Sequence, residues 1–221
     1  MKRICGWAFL SVLFPAVFAG CVTGKVLNFP GGLTRPAGTG GAAPAAVPTV
    51  AVLDFAWNAP ASQEIGRDYF SVRPIVWKGA PGKAMADLVA AALNEKGIPA
   101  VRAAAEAGVP ADVPVRLSGT LEEFRVDAKK IDVLRVEEAA YVVLTVSAAA
   151  PGAPAPWTTH LSADYWDQEA LFVTPEGVRD AMNGAANAAA DEAARRLIAS
   201  GILPAPAPGE SATPGQEEGM R

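Results

Sequence analysis

The sequence predicts an α/β (α+β) fold: a mixed, largely antiparallel sheet of about 4–5 strands with two helices packed on one face. Three observations predict it. A short, almost wholly apolar run, Thr49 to Phe55, precedes an amphipathic helical pattern over Gly82 to Lys96. Three long runs of alternating character then succeed one another between Val113 and Trp166. A punctuated, alanine-rich helical pattern closes the folded part of the chain before Gly201.

Thr49 to Phe55 reads as a central, buried strand because it is short, β-branched and nearly all apolar. Asn58 to Asp68 is rich in turn formers and reads as a polar loop. Tyr69 to Trp77 reads as a second strand or extended edge segment, since Pro74 argues against a central place. In the first helix, Met85, Leu88, Val89, Ala92 and Leu93 recur at the spacing of one buried face. Gly97 stands where a left-handed residue ends a helix, and Pro99 to Ala103 returns as a short strand.

Val113 to Asp127 alternates, with Val115, Leu117, Gly119 and Leu121 in one phase, but Phe124 and Val126 are in the other. One extra residue near Glu122-Glu123 accounts for the slip as a β-bulge. Ala140 to Ala148 and Trp157 to Trp166 complete an antiparallel meander. In the last helix Thr174 is the N-cap, Pro175 suits the first turn and Glu176 the positive end of the helix. Val178, Met182, Ala185, Ala189, Ala193 and Leu197 form a narrow seam of mostly small residues, and Gly201 terminates the helix.

The ends differ from this body. Lys2 and Arg3 open an apolar stretch that ends in Val17-Phe18-Ala19-Gly20-Cys21. The apolar part holds about 15 residues, too few to span a bilayer, which takes about 20. It resembles a bacterial lipoprotein signal, in which small residues precede a cysteine that carries diacylglycerol and becomes the first residue after cleavage. That resemblance implies lipidation of Cys21 and anchoring by more than one acyl chain. Val22, in place of the aspartate that retains lipoproteins in the inner membrane, implies the outer membrane, facing the periplasm. The expected organisation is therefore residues 1–20 signal peptide, 21–47 flexible Gly/Ala/Pro tether, 48–203 one α/β domain and 204–221 disordered tail. Cleavage also removes Cys5, so no disulfide is expected in the mature chain.

The whole chain has a formal charge of −4; without Lys2 and Arg3 it has 17 basic and 23 acidic residues. This mildly acidic balance lacks a phosphate-binding footprint, so nucleic acid is not an expected partner. The run Val-Ala-Val-Leu-Asp-Phe, a helix ending Leu-Asn-Glu-Lys-Gly-Ile, and the strands Leu-Ser-Gly-Thr-Leu-Glu-Glu-Phe-Arg-Val and Tyr-Val-Val-Leu-Thr-Val follow the lipobox in order. This layout, over residues 48–203, resembles the small envelope lipoproteins of the YajG type, and is also similar to the auxiliary lipoproteins of ABC-type lipid transport systems. The resemblance implies an envelope binding or assembly role without catalysis; it carries over no functional residue. The alanine-rich loop Ala148–Pro156 departs from it.

Chemical signals are sparse. His160 is the only histidine and sits in phase with Thr158 and Ser162, on a solvent-facing strand surface. Asp54 ends a buried strand, where it either meets a ligand or bonds local backbone amides. Asp164, Asp167 and Glu169 lack the spacing of a calcium loop. Glu122/Glu123 and Glu137/Glu138 read as acidic pairs on exposed strands. No phosphate loop, nucleophile elbow or cysteine metal motif is present, so no cofactor or metal is expected. Aromatic residues are the better lead, because they carry large contact area with few rotors. Trp57, Tyr69, Phe70, Trp77 and Trp166 are the candidate partner-binding residues, with peripheral core packing as the competing reading. The expected function is a non-catalytic binding or assembly role toward an envelope protein, lipid or glycan. Two alternatives stay open: a glycan-directed hydrolase using Glu123 and Asp164, and a structural spacer without ligand.

Overall fold

The computed structural model describes residues 27–30, 32–36, 47–58, 60, 62–69, 72–132, 135–170 and 173–203. The signal segment, Cys21, Phe70 and the tail after 203 lie outside these residues. The strands are β1 (Leu27–Pro30), β2 (Val50–Leu53), β3 (Ala56–Trp57), β4 (Glu64–Asp68), β5 (Arg73–Lys78), β6 (Ala100–Ala103), β7 (Val115–Lys130), β8 (Arg135–Ala149) and β9 (Trp157–Ala170). Helix α1 spans Pro81–Glu95 and α2 spans Pro175–Ala199.

The sheet is mixed, as its sequence predicts, but has nine strands among the described residues rather than 4–5. Its backbone is β7, which pairs antiparallel with β8 along nearly its whole length, while β8 pairs antiparallel with β9. On its other side β7 meets three short parallel segments in turn: β2 at Val115–Leu117, β3 at Thr120–Leu121 and β4 at Ala128. β6 continues the sheet beyond β2, and β5 and β1 continue it beyond β4. Both helices pack against each other and on the same face of the sheet.

The helices obey their punctuation. Met85, Leu88, Val89, Ala92 and Leu93 are buried, and Gly97 has φ +78°. Thr174 Oγ1 accepts from the Gly177 amide at 3.0 Å, and Gly201 has φ +71°. The buried stripe of α2 is wider than its seam, because Ala181, Ala186, Ala190 and Ala194 are buried as well. At Gly184 the Tyr165 ring of β9 lies where a Cβ would stand, 2.4 Å from its Cγ. Arg196, held by Glu192 at 2.5 Å, donates to the His160 carbonyl at 2.8 Å and so covers part of the β9 edge.

Three sequence readings need correction. Glu64–Asp68 is a strand, not a loop: it pairs with β5, and Asp68 is wholly buried beside the Arg73 guanidinium at 2.9 Å. β5 is interior, between β1 and β4; Pro74 is tolerated because the β1 ladder starts one residue later, at Ile75. Within the supposed tether, Leu27–Pro30 forms β1, and the stretch Gly32–Pro36 is fastened to the helices. The Thr34 amide donates to Asn183 Oδ1 at 2.9 Å, Asn187 Nδ2 donates to the Thr34 carbonyl at 2.9 Å, and Arg35 holds Glu95 through two bonds of 2.6 Å and Asp191 at 2.7 Å. Polar pairing, with Leu33 packed partly buried against the core, orders this segment.

The Arg35 bond to Glu95 drives that carboxyl below its ordinary value near 4.5, and the guanidinium is raised further above its own. Glu95 therefore stabilises the fold at and above its ordinary value, and this contribution is lost as pH falls through the lower folded value. Arg35→Gln is expected to cost about 1 kcal/mol near neutrality, the pair being partly solvated. The gap in melting temperature between wild type and variant should close below pH 4.5. A gap independent of pH would show that the bridge to Glu95 does not fasten the segment.

Candidate functional site

The face of β7–β9 away from the helices is laid out in rungs by the register. Ser118, Ser147 and Thr158 share one rung; Thr120, Thr145 and His160 the next; then Glu123, Val143 and Ser162; Arg125, Tyr141 and Asp164; and Asp127, Ala139 and Trp166. The slip between Leu121 and Glu123 is the bulge expected from the phase change, and it places Glu122 and Glu123 together beside the unpaired stretch of β7 between β3 and β4.

An open cleft of about 420 Å³ occupies that interruption, with Trp57, Pro60, Glu64 and Gly66 on one side and Glu122 to Arg125 on the other. Arg125 bridges Glu123 at 3.0 Å, and its guanidinium carbon lies 4.9 Å from the Tyr141 ring centroid. Thr145 Oγ1 donates to Glu122 Oε1 at 2.5 Å and lies 3.2 Å from His160 Nδ1. His160 is 61% exposed, as its strand phase predicts. Ser147 and Thr158 hydroxyls join at 2.9 Å. This is a polar, hydrogen-bonded surface with two aromatic side chains, Tyr141 and Trp166, on it.

The predicted aromatics divide. Trp166 is 62% exposed on the open face and Tyr69 is 56% exposed at one end of the sheet. Trp77 is 2% exposed, a correction to its reading as a partner-binding residue. It stands edge-on to Phe124 at 5.0 Å, and Phe124 meets the half-buried Trp57 at 6.1 Å. Trp57 still borders the cleft, as does Phe124, so the cluster meets the surface there. The candidate aromatics among the described residues are thus not brought to one place.

The acidic candidates divide too. Glu123 lines the cleft, whereas Asp164 stands across β8 on the open face and does not line it. Asp164 is exposed; the side chains of Asp167 and Glu169 lie outside the described ones. Asp54 is engaged by a side chain that the sequence reading did not name: both its oxygens accept from Arg102, at 2.5 and 2.7 Å, and this contact raises the arginine's proton affinity. Glu138 is not an exposed edge charge. It is wholly buried, on the rung of Ala128, which also pairs with Asp68.

Neither a family model nor a curated protein matches the chain. Among solved structures it is similar to a Xanthomonas campestris protein of the DUF330 family, at 13% identity and a TM-score of 0.47 over 80% of this chain and 94% of that one. An uncharacterized protein aligns at 10% identity and a TM-score of 0.47 over 78% of this chain and 99% of its own. A candidate lipoprotein from Caulobacter crescentus CB15 aligns at 20% identity and a TM-score of 0.30 over 56% of this chain and 81% of its own. Among the described residues, no helix is long and apolar enough to cross a membrane.

Two features of the face went unread in the sequence. The Arg125–Tyr141 stack joins residues on neighbouring strands, and only the shifted register after the bulge aligns them. The Glu122–Thr145–His160 contact depends on the same extra residue.

Proposed function

We propose that the protein is a lipid-anchored component of the bacterial envelope, held to the outer membrane through Cys21 and facing the periplasm, which binds an envelope protein without catalysis. The Ala19-Gly20-Cys21 lipobox supports the anchor. Trp166 carries the binding reading. It is a large aromatic with most of its surface in water, on the rung next to the Arg125-stacked Tyr141 and surrounded by hydroxyl and charged groups. Exposed aromatics within a polar rim are the usual anchors of protein interfaces.

A hydrolytic role is less well supported. Two carboxylates would have to flank one bond, and Glu123 is bridged by Arg125 while Asp164 lies two strands from it. A photoreactive amino acid at position 166, in intact cells, should yield a discrete protein adduct, and one at the exposed Ala188 of α2 should not. Adducts of equal yield at both positions, or none at 166, would remove the interface. Trp166→Ala should abolish capture by a probe at position 162 and change stability by less than about 0.5 kcal/mol. Incorporation of a fatty-acid analogue by wild type, and not by Cys21→Ser, tests the anchor separately.

A further inference from the structure

The parallel pairing of β1 with β5 sets Leu27 beside Ile75, so β1 begins at the end of the sheet that holds Arg73 and the turn before it. That turn presents Tyr69 and Val72, which are 56% and 69% exposed. The Tyr69 amide donates to the Ala128 carbonyl at 2.9 Å, which puts the same turn beside the end of β7. There the β7–β8 hairpin presents Ile131, 45% exposed, with Lys129 and Lys130 exposed just before it. Three of the seven exposed large apolar residues among the described ones therefore stand at the end of the sheet where β1 begins. The C-terminal end of α2 lies toward the opposite end, where Arg196 holds the His160 strand.

Val72 has φ +55°, an unfavourable backbone region for a β-branched residue, and keeps its side chain in the open. Between Cys21 and Leu27 there are only residues 22–26. A fully extended chain of that length reaches about 20 Å. With Gly32–Pro36 fastened to the helices, an acyl chain on Cys21 cannot hold the domain at the end of a long leash.

We infer that Tyr69, Val72 and Ile131 form a membrane-contacting tip that seats in the headgroup region of the bilayer carrying the Cys21 anchor. The inference rests on the lipid-anchor reading and adds to it an orientation: sheet end down, α2 C-terminus away from the lipid. Tyr69 has the amphipathic ring favoured at such boundaries, and the exposed Lys129 suits anionic headgroups.

The test uses the full-length gene product, processed and acylated in a bacterial host, purified and reconstituted in vesicles of phosphatidylethanolamine and phosphatidylglycerol. An environment-sensitive fluorophore is placed at Val72→Cys, Ile131→Cys or, as the distal control, Ala153→Cys, an exposed site in the β8–β9 turn. Spin-labelled lipid should remove roughly half of the emission at 72 and 131, for a tip seated 5–10 Å into the boundary, and leave 153 almost unchanged. The Ile131→Cys signal should fall to the control level when Tyr69→Asp and Val72→Asp are added, with the circular dichroism spectrum retained. If mass spectrometry shows acylated Cys21 and the emission at 72 and 131 ignores the lipid quencher, the tip faces something other than lipid: the inference fails and the anchor stands. If Cys21 carries no acyl chain, both fail.

Discussion

Trp77→Ala lowers stability by about 3–5 kcal/mol, the range for emptying a large buried aromatic site. Trp77 is 2% exposed and meets Phe124 edge to face at 5.0 Å and 90°. Phe124 in turn touches Trp57, so losing the central contact loosens the wall behind the cleft. Trp57→Ala costs less, because Trp57 is only half-buried. Trp77→Phe is the informative companion. The indole Nε1 is buried without a hydrogen-bond partner among the described residues, and phenylalanine deletes that donor while keeping much of the ring. Its cost should stay near 1 kcal/mol, since removing an unsatisfied donor offsets part of the lost volume. Urea titrations followed by far-ultraviolet circular dichroism measure all three. A Trp77→Ala midpoint close to wild type would mean that the aromatic cluster is not part of the core.

Whether an aromatic residue faces core or water was written in its phase, not in its type. Trp77 keeps step with Ile75, and both are buried. Trp166 keeps step with His160, Ser162 and Asp164 and shares their exposure. The helix ends were legible for a similar reason: Thr174, Gly97 and Gly201 act through local backbone geometry, which needs no knowledge of the rest of the chain. The bulge was legible because one inserted residue inverts every later position of β7. Glu138 was within reach of the same logic. Extending the Ala140–Val142–Leu144 phase backward by two residues places it among buried side chains.

What stayed hidden was built from long-range polar contacts. β4 has one large apolar residue, Ile65, and forms because β5 and β7 supply partners on both sides. Thr34 and Arg35 bond to residues more than 140 positions away on α2, and a composition rich in glycine and proline gives no sign of it. The consequence reaches function. A long leash would let the domain turn freely above a membrane. A strand separated from the proposed acylation site by residues 22–26 alone, followed by a segment fastened to both helices, limits the faces that an anchored domain can offer a partner. Under that restriction the outer face of β7–β9 stands along the side of the molecule rather than beneath it.

Gly66→Ala is expected to be the most damaging of the one-carbon substitutions. A Cβ at position 66 would lie 1.7 Å from the Val126 carbonyl oxygen and 2.6 Å from its carbon. Both are backbone atoms of β7, fixed by the long ladder to β8, so β4 must withdraw instead. Withdrawal disrupts the Arg67 amide bond to Asp127 at 3.3 Å and the Asp68–Ala128 rung, and it exposes the Asp68–Arg73 pair to water. The cost should be about 3 kcal/mol or more, the upper end for overpacking, since no side-chain rotation relieves it. Gly184→Ala is the control. Its Cβ would also meet a neighbour, the Tyr165 ring at 2.4 Å, but that side chain is 42% exposed and can swing outward. Alanine inside α2 also gains about 1 kcal/mol of helix propensity, so the net change should be near zero. Unfolding midpoints of the two variants, with limited proteolysis of the β4–β5 turn, separate the cases. Equal and small effects at both positions would show that β4 is not seated against β7, and would remove the geometry that brings Tyr69 and Val72 beside the β7–β8 hairpin.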